Sequence, residues 1–193
     1  MPQDQDQLPD SVLVAMVLDG ARDQFRVLVR RHQARVYGMC LRLAGNPADA
    51  EDLTQQSFVE AFSGLRRFDD SRSFRTWLMS ITVNNCKDFL KSHKRRERQL
   101  AADVDSSGGA LFTGRVPGPE QQLVARRRAD HLWAALHRLD PKYRVPVVLK
   151  DVEGLSYQEM QEILSLPLTT LKIRVVRGRA KLQEQLEWMT MDN

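Results

Sequence analysis

The chain has 193 residues and a mass of 22.2 kDa, enough for one medium core or two small ones. At 42% hydrophobic and 28% charged residues, with a mean hydropathy of −0.44, it is neither a disordered nor a fibrous sequence. No apolar run approaches the roughly 18 residues that a bilayer span requires, and a net charge of +4 with a pI near 9.3 favours an anionic partner.

The first ten residues, MPQDQDQLPD, are acidic and polar, the opposite of a secretory leader, so a cytoplasmic protein is expected. Residues 1–9 read as a tail. Apolar residues recur at helical spacing from Val12 to Leu28, Val36 to Leu43, Ala50 to Leu65 and Phe74 to Leu90, which predicts four helices. Turn chemistry separates the last three: Gly45-Asn46-Pro47 precedes the third and Asp69-Asp70-Ser71 the fourth. Asn46 fits an N-cap and Pro47 a first helical position, which sets Asp49, Glu51 and Asp52 in the turns where the helix dipole favours carboxylates.

Residues 103–119, DVDSSGGALFTGRVPGP, have no apolar periodicity and hold four of the ten glycines, so they read as a spacer. Stretched at about 3.3 to 3.6 Å per residue, such a spacer reaches roughly 55 to 60 Å. Its Leu111 and Phe112 are apolar for a spacer and suggest a segment that docks in a groove. Beyond it an apolar stripe runs from Leu123 to Leu139 and ends at Asp140-Pro141. The valine-rich stretch from Tyr143 to Val152 could be a strand, yet it has helical neighbours and no strand to pair with. The whole chain is therefore read as α.

Charge is distributed in blocks. From Leu43 to Leu65 there is no Lys or Arg, while Asp49, Glu51, Asp52 and Glu60 form an acidic helix face. Cations cluster at Lys87, Lys91, Lys94, Arg95, Arg96 and Arg98, and again at Lys172, Arg174, Arg177, Arg179 and Lys181. Any one such run is compatible with a merely solvated helix. The most specific segment is residues 154–182. Ser156 and Glu159 have capping-box spacing, a short helix to Leu164 is interrupted at Ser165-Leu166-Pro167, and a second helix is expected from Thr169 or Thr170. That second helix should turn Leu171 and Val175 inward and its cations outward, which makes a helix-turn-helix. A helix of this kind fits the DNA major groove, and its cations release counterions from phosphate.

Segment 154–182 closely resembles region 4 of the extracytoplasmic-function sigma factors of the sigma-70 family. Gly154, Leu155, Ser156, Tyr157, Glu159, Glu162, Ile163, Leu164, Pro167, Thr170, Lys172, Arg174, Arg177 and Arg179 follow its pattern. Gln161 stands at a position where that pattern has a small residue, Ser165 and Thr169 where it has glycine, and Ile173 where it has serine. Residues 25–96 resemble region 2 of the same family through FRVLVRRHQARVY, NPADAEDLTQQSFVEAF and FDDSRSFRTWLMSITVNNCKDFLKSHKRR. The resemblance implies an all-α protein of two small helical domains: region 2 over 10–100, a flexible linker over 101–119, region 4 over 120–187 and a tail over 188–193.

It further implies a transcription initiation factor, used in stress responses, that binds bacterial core RNA polymerase and directs it to promoter DNA. Core-polymerase contact falls to Asp49, Glu51, Asp52 and Gln55, where opposite charges would steer encounter. Recognition of the minus-10 element falls to Asp70, Ser71, Arg75, Asn84, Lys87 and Lys91, and of the minus-35 element to Thr170, Lys172, Ile173, Arg174, Val176 and Arg177. Ile173 and Val176 could read a thymine methyl by apolar contact. An anti-sigma factor, itself membrane-anchored, is implied as a further partner; no membrane insertion of this chain is expected.

No cofactor, metal or enzymatic activity is expected. His32, His93, His131 and His137 are scattered, and there is no phosphate-binding glycine loop, H-E-x-x-H or G-x-S-x-G. Cys40 and Cys86, without metal-like spacing, read as two buried small hydrophobes, and Trp77 as a core anchor on the Phe74, Leu78 and Ile81 stripe. A one-domain regulator with a sensor would instead offer a ligand pocket or dimer seam in its first half. An anti-sigma protein would lack the DNA-reading helix.

Overall fold

The computed structural model describes residues 7–103 and 131–191; the expected tail before Gln7, the spacer from residue 104 with Leu111 and Phe112, and the stripe from Leu123 to residue 130 lie outside them. Among the described residues there are helices and no strands.

Helix α1 (Asp10–Leu18) is followed by a 3-10 turn (Arg22–Gln24) and by α2 (Phe25–Ala44). The apolar stripe from Val12 to Leu28, expected as one helix, is thus broken, and the stripes on either side of Arg30-Arg31 join into one. The break sits at Gly20, whose φ of +106° is a left-handed conformation that costs glycine little. Asp10 ties the two pieces together, accepting from Arg31 and meeting His32 Nε2 at 2.7 Å.

Helix α3 (Pro47–Gly64) begins as its sequence dictates, with the Asn46 side chain accepting from the Asp49 amide at 2.8 Å. Helix α4 (Phe74–Asp103) is longer than its apolar stripe and carries the cations from Lys87 onward along one rod. Helices α2, α3 and α4 bury Met39, Cys40, Leu43, Ala50, Ala61, Val83 and Cys86 completely. Each of the larger side chains contributes about 1.5 to 3 kcal/mol in removal from water. Cys40 and Cys86 are free thiols with sulfurs 3.9 Å apart. Trp77 packs edge-on against Phe68 at 5.4 Å, in the cluster that also contains Phe74.

In the second half, a helix over 131–138, here α5, leads to α6 (Pro141–Val147), capped by the Asp140 side chain. The valine-rich stretch is helical, continuing past Val147 as a π-helical turn (Val148–Val152). Pro146 lies inside α6 and lacks the amide that a regular helix would use, which suits a change of helical pitch just beyond it. Helices α7 (Tyr157–Leu164) and α8 (Leu168–Met191) complete the unit around Leu136, Leu149, Met160, Leu171 and Val175. At Gly178 an added Cβ would lie 2.6 Å from Val147 Cγ2, so α6 and α8 approach as closely as they do because this residue has no side chain.

The halves meet along a polar seam. Helix α2 ends at Gly45 with φ +93°, leaving its last carbonyls without helical partners. Arg144, 7% exposed, donates to Leu43 O at 2.9 Å and to Leu139 O at 3.2 Å, and also reaches His137 O. The His137 ring donates to Arg42 O at 3.1 Å, and burial, then the Arg144 charge, lowers its pKa, which keeps it neutral. Glu153, its side chain 6% exposed, accepts from Arg42 at 2.5 Å and Arg35 at 3.4 Å. Lys94 pairs with Asp140 at 2.9 Å.

An added Cβ at Gly45 would meet His137 Cε1 at 3.0 Å, whereas at Gly20 it meets nothing within 4 Å. Gly20→Ala should therefore lose only the backbone term, about 1 kcal/mol, and Gly45→Ala about 2 kcal/mol or more. Urea unfolding of both variants measures the difference, and equal losses would contradict this seam.

Candidate nucleic-acid interface

The helix-turn-helix is built from local rules. At the start of α7 the Ser156 amide donates to Glu159 Oε2 at 2.8 Å, and Ser156 Oγ accepts from the Glu159 amide at 3.2 Å. The backbone amide and then the hydroxyl of Ser156 hold the Glu159 carboxyl below its ordinary value. Helix α7 stops at Ser165, a non-glycine residue at φ +51°, and Pro167 opens the next helix. Helix α8 starts at Leu168, slightly earlier than its threonines suggest.

Along α8 the inward positions Leu171 and Val175 are fully buried. Lys172, Ile173, Val176 and Arg177 are exposed, Ile173 at 50% and Val176 at 62%, and Thr170 is half-buried. Two apolar side chains held in water among cations make a surface that a groove with both phosphates and methyl groups would cover. Two cations depart from the outward orientation expected of them. Arg174 is half-buried and lines a cleft with Lys87 and Lys91, while Arg179, still exposed, is held by Asp151 through Nε at 3.0 Å and a second bond. Both have a simple cause: the neighbouring element supplies a wall on one side and a carboxylate on the other.

In the first half, Asp70 and Ser71 are exposed in the loop before α4, and the Ser71 amide donates to Asp69 Oδ1 at 3.0 Å. That bond shapes the loop and lowers the Asp69 pKa; the sequence reading assigned no role to Asp69 beyond its turn. Asn84, Lys87 and Lys91 share one face of α4, with Lys87 donating to Asn84 at 3.2 Å and Lys91 paired with Asp88 at 3.0 Å. Burial, then the charges of Lys91 and Arg174, lowers the Lys87 pKa. Arg75 is half-buried, near enough to Glu159 to lower that carboxyl's pKa, so it faces the second half as well as the loop.

The acidic helix α3 exposes Glu51, Asp52 and Gln55, whereas Asp49 is half-buried and engaged by its own cap residue Asn46. Glu51 and Gln55 border a groove of about 460 Å³ between α2 and α3, walled by Phe25, Val29, Phe58 and Phe62. Val59 at 58% and Phe62 at 41% exposure are the residues that sequence reasoning missed there, because helical spacing alone reads them as core. It also missed Asn85, which is buried and donates to Ser57 at 3.3 Å. Among the described residues no cluster of His, Cys, Asp or Glu is placed to hold a metal ion, and no helix is long and apolar enough to cross a membrane.

An acidic helix with an exposed apolar flank, a cation-bearing helix behind a structured loop, and a helix-turn-helix define a class: all-helical, two-part DNA-binding proteins. Residues 28–96 match Sigma-70 region 2 and residues 130–182 match Sigma-70, region 4. The ECF RNA polymerase sigma factor SigW of Bacillus subtilis is 32% identical over 90% of this chain and 94% of its own length. SigE of Mycolicibacterium smegmatis, also an ECF RNA polymerase sigma factor, is 38% identical over 88% of this chain, which spans 66% of that protein. Among solved structures, CnrH in complex with the cytosolic domain of CnrY superposes with a TM-score of 0.65 at 27% identity, covering 92% of this chain and 97% of CnrH. The chain belongs to the extracytoplasmic-function sigma factors of the sigma-70 family.

Ser156→Ala removes the cap and should cost about 1 kcal/mol, while Ser165→Gly relieves the left-handed strain and should gain about 1 kcal/mol. The Glu159 contribution is present above the ordinary carboxyl pKa of 4.5 and is lost as the pH falls through the lowered folded value. Denaturant titrations at neutral and acid pH check the three statements.

Proposed function

We propose that this chain is the promoter-selecting subunit of a transcription initiation complex, holding core RNA polymerase through α3 and reading promoter DNA through α4 and α8. The observation that carries the reading is the division of α8: Leu171 and Val175 fully buried, Lys172, Ile173, Val176 and Arg177 turned to solvent. In this reading Thr170, Lys172, Ile173, Arg174, Val176 and Arg177 serve the minus-35 duplex, with Arg174 reaching it once it leaves the cleft. Asp70, Ser71, Arg75, Asn84, Lys87 and Lys91 serve the minus-10 strand, where an unpaired base needs an edge reader and cations along its backbone.

Core contact combines Glu51, Asp52 and Gln55 with the apolar flank of Phe58, Val59 and Phe62, while Asp49 acts chiefly by shaping the start of α3. Carboxylates give orientation and on-rate; the apolar flank gives the larger share of affinity. The domains run 10–100 and 120–187, and the protein works in the cytoplasm, where its template is. It carries out no chemistry itself, since the polymerase makes the RNA. In this reading an anti-sigma factor regulates it by covering these surfaces; CnrH, too, is found with a protein partner, the cytosolic domain of CnrY.

Run-off transcription with purified core polymerase on genomic fragments tests the assignment: position-specific starts appear only when this protein is added. Arg177→Ala should weaken duplex promoter binding by about tenfold, within the roughly 1 to 3 kcal/mol of a lost contact, and leave core binding unchanged. Asp52→Arg should do the reverse, and equal loss of both activities in either variant counts against the proposal.

A further inference from the structure

Parts of α4, α6, α7 and α8 converge on a cleft of about 270 Å³. Helix α4 supplies Lys87 and Lys91, α6 supplies Lys142 and α8 supplies Arg174, so one small space is lined by four cations. Opposite them Val145, Pro146, Leu164 and Leu166 form an apolar wall. Lys142 and this wall belong to none of the surfaces assigned above to DNA or polymerase.

A single carboxylate, that of Asp140, lines the cleft with them, and it is already engaged. Its Oδ2 accepts from Lys94 at 2.9 Å and its Oδ1 from the Lys142 amide at 3.0 Å. Lys91 reaches Asp88, but both side chains are exposed, and such a pair offsets little. Arg174 is half-buried and makes no hydrogen bond or ion pair among the described residues. Burial and then the Lys91 charge lower the Lys87 pKa, with Arg174 adding to them. The described carboxylates thus leave a repulsion standing here that a bound anion would relieve.

Size and charge define that anion. The volume lies just under the roughly 300 Å³ at which small-molecule sites begin, so the occupant is compact. A phosphate monoester carries about −1.5 to −2 charges at neutral pH and several acceptor oxygens, more than a carboxylate or the diester linkage of DNA presents. A guanidinium fork beside ammonium groups matches that set of oxygens. The apolar wall has no use for a bare ion but would take a compact organic group out of water. We infer that this cleft is a binding site for a small organic phosphate monoester, its phosphate held by Arg174, Lys87, Lys91 and Lys142 and its apolar group set against the wall.

The test titrates the isotope-labelled full chain with phenyl phosphate at constant, low ionic strength and follows its amide resonances. Binding should saturate with a Kd of about 1 mM or lower, with the largest shifts at Lys87, Lys142 and Arg174. Two further probes separate the parts of the site. Inorganic phosphate lacks the apolar group, and methyl phenyl phosphate keeps it but is a singly charged diester; each should bind severalfold more weakly than phenyl phosphate.

Variants then assign the contacts. Arg174→Ala should weaken phenyl phosphate about tenfold or more, the range of a lost hydrogen bond to a charged group. Should that variant fail to fold, Lys142→Ala, an exposed position on α6, should show a loss in the same direction. Leu166→Ala should weaken phenyl phosphate about threefold and leave inorganic phosphate unchanged. Lys181→Ala removes an exposed cation of α8 that does not line the cleft and should change neither. Binding that does not saturate, a diester held as tightly as the monoester, or an equal loss in Lys181→Ala and Arg174→Ala would overturn the inference. These readouts involve neither DNA nor polymerase, so they are decided separately from the promoter-selecting role.

Discussion

Helix α2 ends at a left-handed glycine, and the carbonyls of its last turn are satisfied from the other half of the chain. Arg144 and His137 supply the donors, and the cation sits where the helix dipole presents its negative end. Arg144 can be buried because its planar fork reaches three carbonyls, those of Leu43, His137 and Leu139. The arrangement of the second half on the first, and hence the mutual position of α4 and α8, follows from this contact. Glu153 reinforces it with two guanidinium groups more than a hundred residues away in sequence.

The same placement explains why charge in this protein cannot be read one helix at a time. Helix α8 keeps Lys172 and Arg177 in water, but Arg174 shares a cleft with Lys87, and Arg179 is neutralised by Asp151. On α3 the carboxylates are flanked by Val59 and Phe62, so the acidic face is also an apolar one. A surface with both characters suits a protein partner better than solvent: the charges orient it and the apolar area holds it. Membership of the sigma-70 family names RNA polymerase and promoter DNA as partners; in the function proposed above, the first takes this surface and the second takes the cationic helices.

Much of this was legible in residues alone wherever a rule is local. The Asn46 cap, the Ser156–Glu159 box, the break at Ser165 and the burial of Leu171 and Val175 each depend on neighbours within a turn or two. The chain's periodicity therefore placed them correctly. Periodicity failed where apolar character continued across a turn. The stripe from Val12 to Leu28 carries no proline to mark its break, and Gly20 was the sole local sign of it. Past Leu90 the apolar pattern fades while the helix goes on to Asp103, since exposed side chains such as Lys91, Arg95 and Arg96 need no buried stripe.

What the amino-acid sequence determined by itself was the helical class, the position of the helix-turn-helix and the segregation of acidic from basic helices. These are set by backbone capping, helical spacing and residue charge, all of which act over a few residues. Tertiary structure alone decided that Glu153 lies between Arg35 and Arg42, that Val59 and Phe62 stay uncovered, and that Lys87 confronts Arg174. Those outcomes depend on which distant groups meet once the units pack, and desolvation and pairing energies are defined only after that meeting has occurred.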